Sequence, residues 1–107
     1  MNTKIDYSNN TLFVRLYGDV DHHTAKYMRE EIDRELYKYN PQTMIIDLEA
    51  VDFMDSSGLG LILGRYTKIN MLGGILKVAN PSGKIEEILL MAGADKLIPI
   101  EKGVKYL

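Results

Sequence analysis

Apolar residues in this chain alternate in places, run together in others and recur at helical spacing elsewhere, and the switches mark its elements. Leu12 to Tyr17 reads Leu-Phe-Val-Arg-Leu-Tyr, rich in β-formers and bounded by Asn9-Asn10 and Gly18, which predicts a strand. Ile5 to Tyr7 is a weaker strand, and Ser8-Asn9-Asn10 is a turn signal between the two. The pair suggests a hairpin whose first strand lies at an edge. Gly18-Asp19-Val20-Asp21 then reads as a loop, with Asp21 able to cap the next helix. From His23 to Tyr39 the apolar positions Ala25, Met28, Ile32, Leu36 and Tyr39 step by three or four, the signature of one helix face. Glu30, Glu31, Asp33, Arg34, Glu35 and Lys38 mostly cover its other side, with Glu30 and Arg34 as an i,i+4 pair. Asn40-Pro41 ends that helix.

Met44 to Leu48 is nearly continuous apolar sequence, the pattern of a strand buried on both faces. A second helix is predicted from about Ser57 to Met71, with its face at Leu59, Ile62, Leu63, Tyr66 and Ile69 and its stop at Gly73-Gly74. Ile75 to Ala79 is the next strand. Asn80-Pro81-Ser82 turns into a third helix capped by Ser82, with Ile85, Ile88, Leu89 and Ala92 on its face and Gly93 as its stop. Leu97 to Ile100 is a last short strand that Pro99 assigns to an edge. The order ββαβαβαβ predicts a single α/β domain over residues 1–107, with a mainly parallel sheet, right-handed crossovers and an antiparallel N-terminal edge strand. The tail from Glu101 to Leu107 carries no element assignment.

Composition narrows the chemistry. A chain of 107 residues with 46% apolar and 26% charged residues suits one soluble domain with its own core. A net charge of −2 argues against nucleic-acid binding. No cysteine is present, which excludes disulfides, thiolate catalysis and cysteine-based zinc sites. The N-terminus lacks the apolar run of a signal peptide, and no stretch approaches a membrane span, so a cytoplasmic protein with no membrane partner is expected.

The stretch Asp52 to Tyr66 holds the most chemistry. Asp55, Ser56 and Ser57 stand at a strand-to-helix corner, and each can place a side-chain oxygen on the free N–H groups of a first helical turn. Position alone leaves Ser56 either a cap or a phosphorylation site, since a helix N-terminus tolerates a phosphate well. Gly58, Gly60 and Gly64 have the spacing G-x-G-x-x-x-G, which is neither a dinucleotide fingerprint nor a phosphate-binding loop. Small residues there permit close packing or close approach of a partner's backbone. The adjacent His22 and His23 lack the i,i+4 spacing of helical metal ligands, and the elbow G-x-S-x-G of a serine hydrolase is absent. No cofactor or metal is expected. Met54, Leu61 and Met71 lie partly off the helix stripe and are either core or partner contacts.

Phe53-Met54-Asp55-Ser56-Ser57-Gly58-Leu59-Gly60, continued by Ile62-Leu63-Gly64-Arg65-Tyr66, closely resembles the anti-sigma factor antagonists, the bacterial members of the STAS domain family. Gly18-Asp19-Val20-Asp21-His22-His23-Thr24-Ala25 resembles the matching loop of the sporulation subgroup, the antagonists of the anti-sigma-F factor. The likeness runs from about Leu12 to Leu97. It implies a non-enzymatic switch whose unphosphorylated form binds an anti-sigma factor serine kinase and so releases a sigma factor. It further implies that this kinase phosphorylates Ser56, with ATP and Mg²⁺ belonging to the kinase, and that a serine phosphatase reverses the modification. Asp21, His22, His23, Thr24, Asp55, Ser57, Gly58, Leu59 and Leu61 become candidate partner contacts. A general-stress antagonist, or an interaction module without a regulated serine, is the alternative.

Overall fold

The computed structural model describes residues 2–105. Its sheet is five-stranded in the order β1-β2-β3-β4-β5. These strands are β1 (Thr3–Ser8), β2 (Thr11–Val20), β3 (Thr43–Met54), β4 (Ile75–Ala79) and β5 (Ile100–Glu101). The first two pair antiparallel and every later neighbour pairs parallel, so β1 and β5 are the edges. The crossovers are the helices α1 (Ala25–Tyr39), α2 (Ser56–Met71) and α3 (Gly83–Met91), the last leading into a 3-10 turn, Ala94–Lys96. No helix among the described residues is long and apolar enough to cross a membrane.

Local chemistry explains the punctuation. Asn9 and Asn10 both take positive φ, 51° and 59°, as a two-residue hairpin turn between right-twisted strands requires. Asn40 ends α1 in the left-handed conformation and its N–H bonds back to Leu36. The Ser82 hydroxyl caps α3 by accepting from the Ile85 N–H. Asn80 holds the chain beyond β5 through both its amide groups, donating to the Val104 carbonyl and accepting from the Val104 N–H.

One cluster joins Leu12, Val14 and Leu16 of β2, Met44, Ile46 and Leu48 of β3, and Leu76 and Val78 of β4 to buried residues of all three helices. Since side chains alternate along a strand, the three helices lie on one face of the sheet. Each fully buried Leu or Ile there contributes about 1.5–3 kcal/mol. Met44 to Leu48 is buried throughout, yet helices cover only one of its faces. On the other face the sheet shields itself: Arg15 reaches across to Asp47 at 3.0 Å, and Asp47 is 5% exposed.

Several features differ from the sequence reading. The third strand does not stop at Leu48: β3 continues six residues to Met54, because the prolonged β2 pairs with it as far as Val20 and Met54. Gly18 to Val20 is strand, since Gly18 takes a φ of 78° at an irregularity in register and β2 then resumes beside β3. The last strand is shifted to Ile100–Glu101, because Gly93 leads into a 3-10 turn instead of directly into extended chain. The buried stripe of α2 comprises Gly58, Leu61, Ile62, Arg65 and Ile69, rotated from the expected face, with Leu59, Leu63 and Tyr66 only partly buried. That rotation arises because α2 packs against α1 on one side as well as on the sheet. Of the tail, Tyr106 and Leu107 lie outside the described residues.

Gly58 is the tightest point. A Cβ there would stand 2.6 Å from the Val20 carbonyl oxygen and 2.6 Å from Met54 Cγ. Gly58→Ala is therefore expected to cost about 1–3 kcal/mol through overpacking. Urea denaturation checks this against Gly60→Ala, whose Cβ meets nothing within 4 Å and which should be neutral or stabilising.

Candidate functional site

Extension of β2 and β3 carries both motifs to the C-terminal ends of these two neighbouring parallel strands. Val20 pairs with Met54, so Asp21 and Asp55 each come directly after the last register pair. The Asp55 N–H reaches the Val20 carbonyl at 3.4 Å, joining the start of α2 to the end of β2.

Asp55 is the N-cap of α2. Its backbone is extended, and one carboxylate oxygen accepts from the Ser57 N–H at 2.8 Å and the Gly58 N–H at 3.2 Å. Ser56 is consequently the first helical residue, exposed, and its hydroxyl makes no hydrogen bond among the described residues. Of the three candidate caps in the sequence, Asp55 takes the position, and the reading of Ser56 as a cap falls away. Ser57 is half-buried and faces a groove between α1 and α2. Leu59 packs partly against the core, while Leu61 is 5% exposed and touches solvent only at the groove floor. Met54 is core, at 3% exposed, whereas Met71 is 80% exposed.

The other motif is locked by its own side chains. One Asp21 carboxylate oxygen accepts from the N–H groups of His23 and Thr24, at 2.9 and 3.1 Å. The Thr24 hydroxyl donates to the Asp19 carbonyl at 2.8 Å and accepts from the Asp21 N–H at 3.0 Å. Asp21 thus caps the turn that leads into α1, and the regular helix starts at Ala25 instead of His23. The Thr24 N–H, above all, holds the Asp21 carboxyl below its ordinary value; the His23 N–H and the nearby imidazole act in the same direction. His22 and His23 are exposed with rings 4.2 Å apart. Neither hydrogen-bonds a serine, so no nucleophile–base pair is assembled among the described residues, and none of their His, Asp and Glu side chains form a cluster able to hold a metal ion.

The groove between α1 and α2 encloses about 480 Å³ and connects the two motifs. His22 and Ser57 stand at one end, Lys26 and Arg29 on the α1 wall, and Gly60, Gly64 and Arg65 on the α2 side. Arg65 is 5% exposed, with its Nε 3.0 Å from Asp33 Oδ1 at an angle outside hydrogen-bond geometry. Sequence reasoning missed Arg65, Lys26, Arg29 and Asp33 as a group. A signal existed: Arg65 falls four residues from both Leu61 and Ile69, on the face that is buried.

Fold and site together define a class: a small α/β domain with helices on one sheet face and its distinctive chemistry at a capped helix start beside a basic groove. Comparison supplies the family, because a model of the STAS domain matches residues 2–106, and the chain belongs to the STAS domain family. An anti-sigma F factor antagonist of Paenibacillus polymyxa is 37% identical over 97 residues, spanning 91% of this chain and 83% of the relative. Among solved structures, the anti-sigma factor antagonist SpoIIAA in its unphosphorylated form superposes with a TM-score of 0.84 at 27% identity, covering 96% of this chain and 89% of that one. The Bacillus cell fate determinant SpoIIAA in its phosphorylated form gives 0.77 at 27% identity, over 96% and 92%.

The two caps make different demands on stability. Asp55→Ala should cost about 1 kcal/mol in thermal or urea unfolding, while Ser56→Ala should stay within about 0.5 kcal/mol of wild type. Asp21, with a folded-state value below its unfolded one, stabilises the fold above the unfolded value, and that contribution is lost as pH falls through the folded value. Acid titration of Asp21→Asn should therefore show a shallower loss of stability below pH of about 4.

Proposed function

We propose that this chain is an anti-anti-sigma factor: unphosphorylated, it docks on an anti-sigma factor serine kinase and frees the sigma factor, and phosphorylation of Ser56 ends the docking. The reading extends to a sporulation-type sigma-F system in the cytoplasm, with a serine phosphatase restoring the binding form. The kinase holds ATP and Mg²⁺; this chain contributes only the accepting hydroxyl. Support comes from the anti-sigma F antagonist that it matches at 37% identity and from SpoIIAA, which has been solved in phosphorylated and unphosphorylated forms.

The observation that carries the reading is the state of Ser56. Its hydroxyl is exposed and, among the described residues, unbonded at the first position of α2, while Asp55 does the capping. A kinase can take this hydroxyl without breaking a cap. Ser57, half-buried beside the groove, is the less accessible of the pair. A phosphate adds about 1.5–2 negative charges there, immediately next to the Asp55 carboxylate. Covering that combined charge with a partner imposes desolvation and like-charge repulsion, and a loss of about 3 kcal/mol weakens binding roughly a hundredfold.

Incubation with the anti-sigma kinase and ATP, then peptide mass spectrometry, should find one phosphate on Ser56. Ser56→Ala should bind the kinase as the unmodified protein does and resist release, whereas Ser56→Asp should bind poorly. Equal affinities of these two variants, measured by calorimetry, would remove the proposal.

A further inference from the structure

The groove between α1 and α2 has an unbalanced charge. Lys26, Arg29, Arg65 and His22 line it, and none of its described lining residues is acidic. Gly60 and Gly64 would each carry a Cβ into open space, so one wall is backbone and a partner's chain can come close. The least satisfied group is Arg65. Its side chain is 6% exposed, its buried Nη1 has no hydrogen-bond partner among the described residues, and its contact with Asp33 is an ion contact without hydrogen-bond alignment. Burial foremost, and then the neighbouring Arg29, push the guanidinium below its ordinary value, while Asp33 acts the other way. Asp33 is also shared with Lys68 at 3.8 Å. Because its Nε and Nη1 are buried, Arg65 acts on the groove as fixed positive charge beneath its floor, beside the exposed Lys26 and Arg29.

We propose that this groove is a docking slot for an acidic segment of the partner kinase, which seats its carboxylates on Lys26 and Arg29 above the buried charge of Arg65. The inference rests on the proposed anti-anti-sigma function and specifies the partner chemistry that this function leaves open. Acidic side chains match the exposed Lys26 and Arg29 on the wall, and the charge of Arg65 beneath the floor adds to the same positive potential. The slot is continuous with the switch, since Ser57 lines one end and Ser56 precedes it. A phosphate on Ser56 then opposes docking twice, by repelling the incoming acids and by competing with them for the same cations.

Two measurements on the full chain test this separately. In the first, a hexaglutamate peptide is titrated into the protein and monitored by backbone NMR. Shifts should centre on Lys26, Arg29, Gly60 and Gly64, and Lys26→Glu with Arg29→Glu should abolish them without changing the circular dichroism spectrum. Both variant positions are exposed, so folding should survive where an Arg65 substitution would endanger it. Shifts centred elsewhere, or retained in the double variant, would overturn the slot. So would inorganic phosphate producing the same saturable shifts at lower concentration than the peptide, which would make the occupant a small anion. In the second measurement, the double variant should bind the kinase at least about tenfold more weakly than wild type, with a flatter salt dependence. Equal binding of both overturns the slot and leaves the functional reading standing. Failure of wild type to bind the kinase, with the peptide still localised, overturns the functional reading and, with it, the kinase as occupant.

Discussion

Everything at the functional edge depends on the close approach of the α2 backbone to the end of β2. At Gly58 the helix lies against the Val20 carbonyl with no room for a side chain. Because Val20 pairs with Met54 in the sheet, this contact fixes where α2 starts relative to the turn that begins α1. Asp21 and Asp55 come just after that paired position, and both spend a carboxylate oxygen on the N–H groups of the next turn. The result is two capped chain reversals held side by side by backbone geometry. Ser56 is placed by this frame without contributing to it, and that is why its hydroxyl is free for chemistry.

A second constraint comes from placing all three helices on one sheet face. The sheet order is the sequence order, so successive crossovers set α1 and α2 next to each other over β2 and β3. Their facing sides are joined in part by an ion contact, Arg65 of α2 to Asp33 of α1. Such a pair adds little net stability over an apolar filling, because both ions lose hydration on burial. It does hold a positive charge beneath the groove floor. Among the described residues the Arg65 Nη1 is left without a hydrogen-bond acceptor.

Much of this was legible in the sequence. The element order, the Asn9-Asn10 turn, the Asn40-Pro41 stop and the Ser82 cap each came from local rules that tertiary packing did not override. The strand extension through Asp19 and Val20 was not legible, since a glycine with two aspartates close behind it signals a loop until β3 supplies a partner. Ser56 and Asp55 were equally good caps in isolation; the choice between them came from where the extended backbone gives way to helix. Arg65 was hidden by its type. A charged residue on an apolar stripe is read as exposed, and only the opposing Asp33, on the neighbouring helix, makes burial tolerable.

A phosphate on Ser56 would act in opposite directions on two equilibria. For the fold, a negative group in the first turn of α2 is favourable, worth about 0.3–1 kcal/mol from the helix dipole and the free N–H groups. Asp55 already occupies the best of those donors, so the phosphate gains from the lower part of that range and disturbs nothing in the core. For an interface covering the same position, the added charge must be desolvated next to a carboxylate that is fixed and cannot move aside. Under the proposed function that cost would exceed the gain to the fold, because Ser56 is exposed on the free protein and would lose its water only in a complex. A modification that leaves the domain folded while removing its affinity needs this separation of terms. Capping by Asp55, with Ser56 one residue later outside the cap, is an arrangement compatible with it.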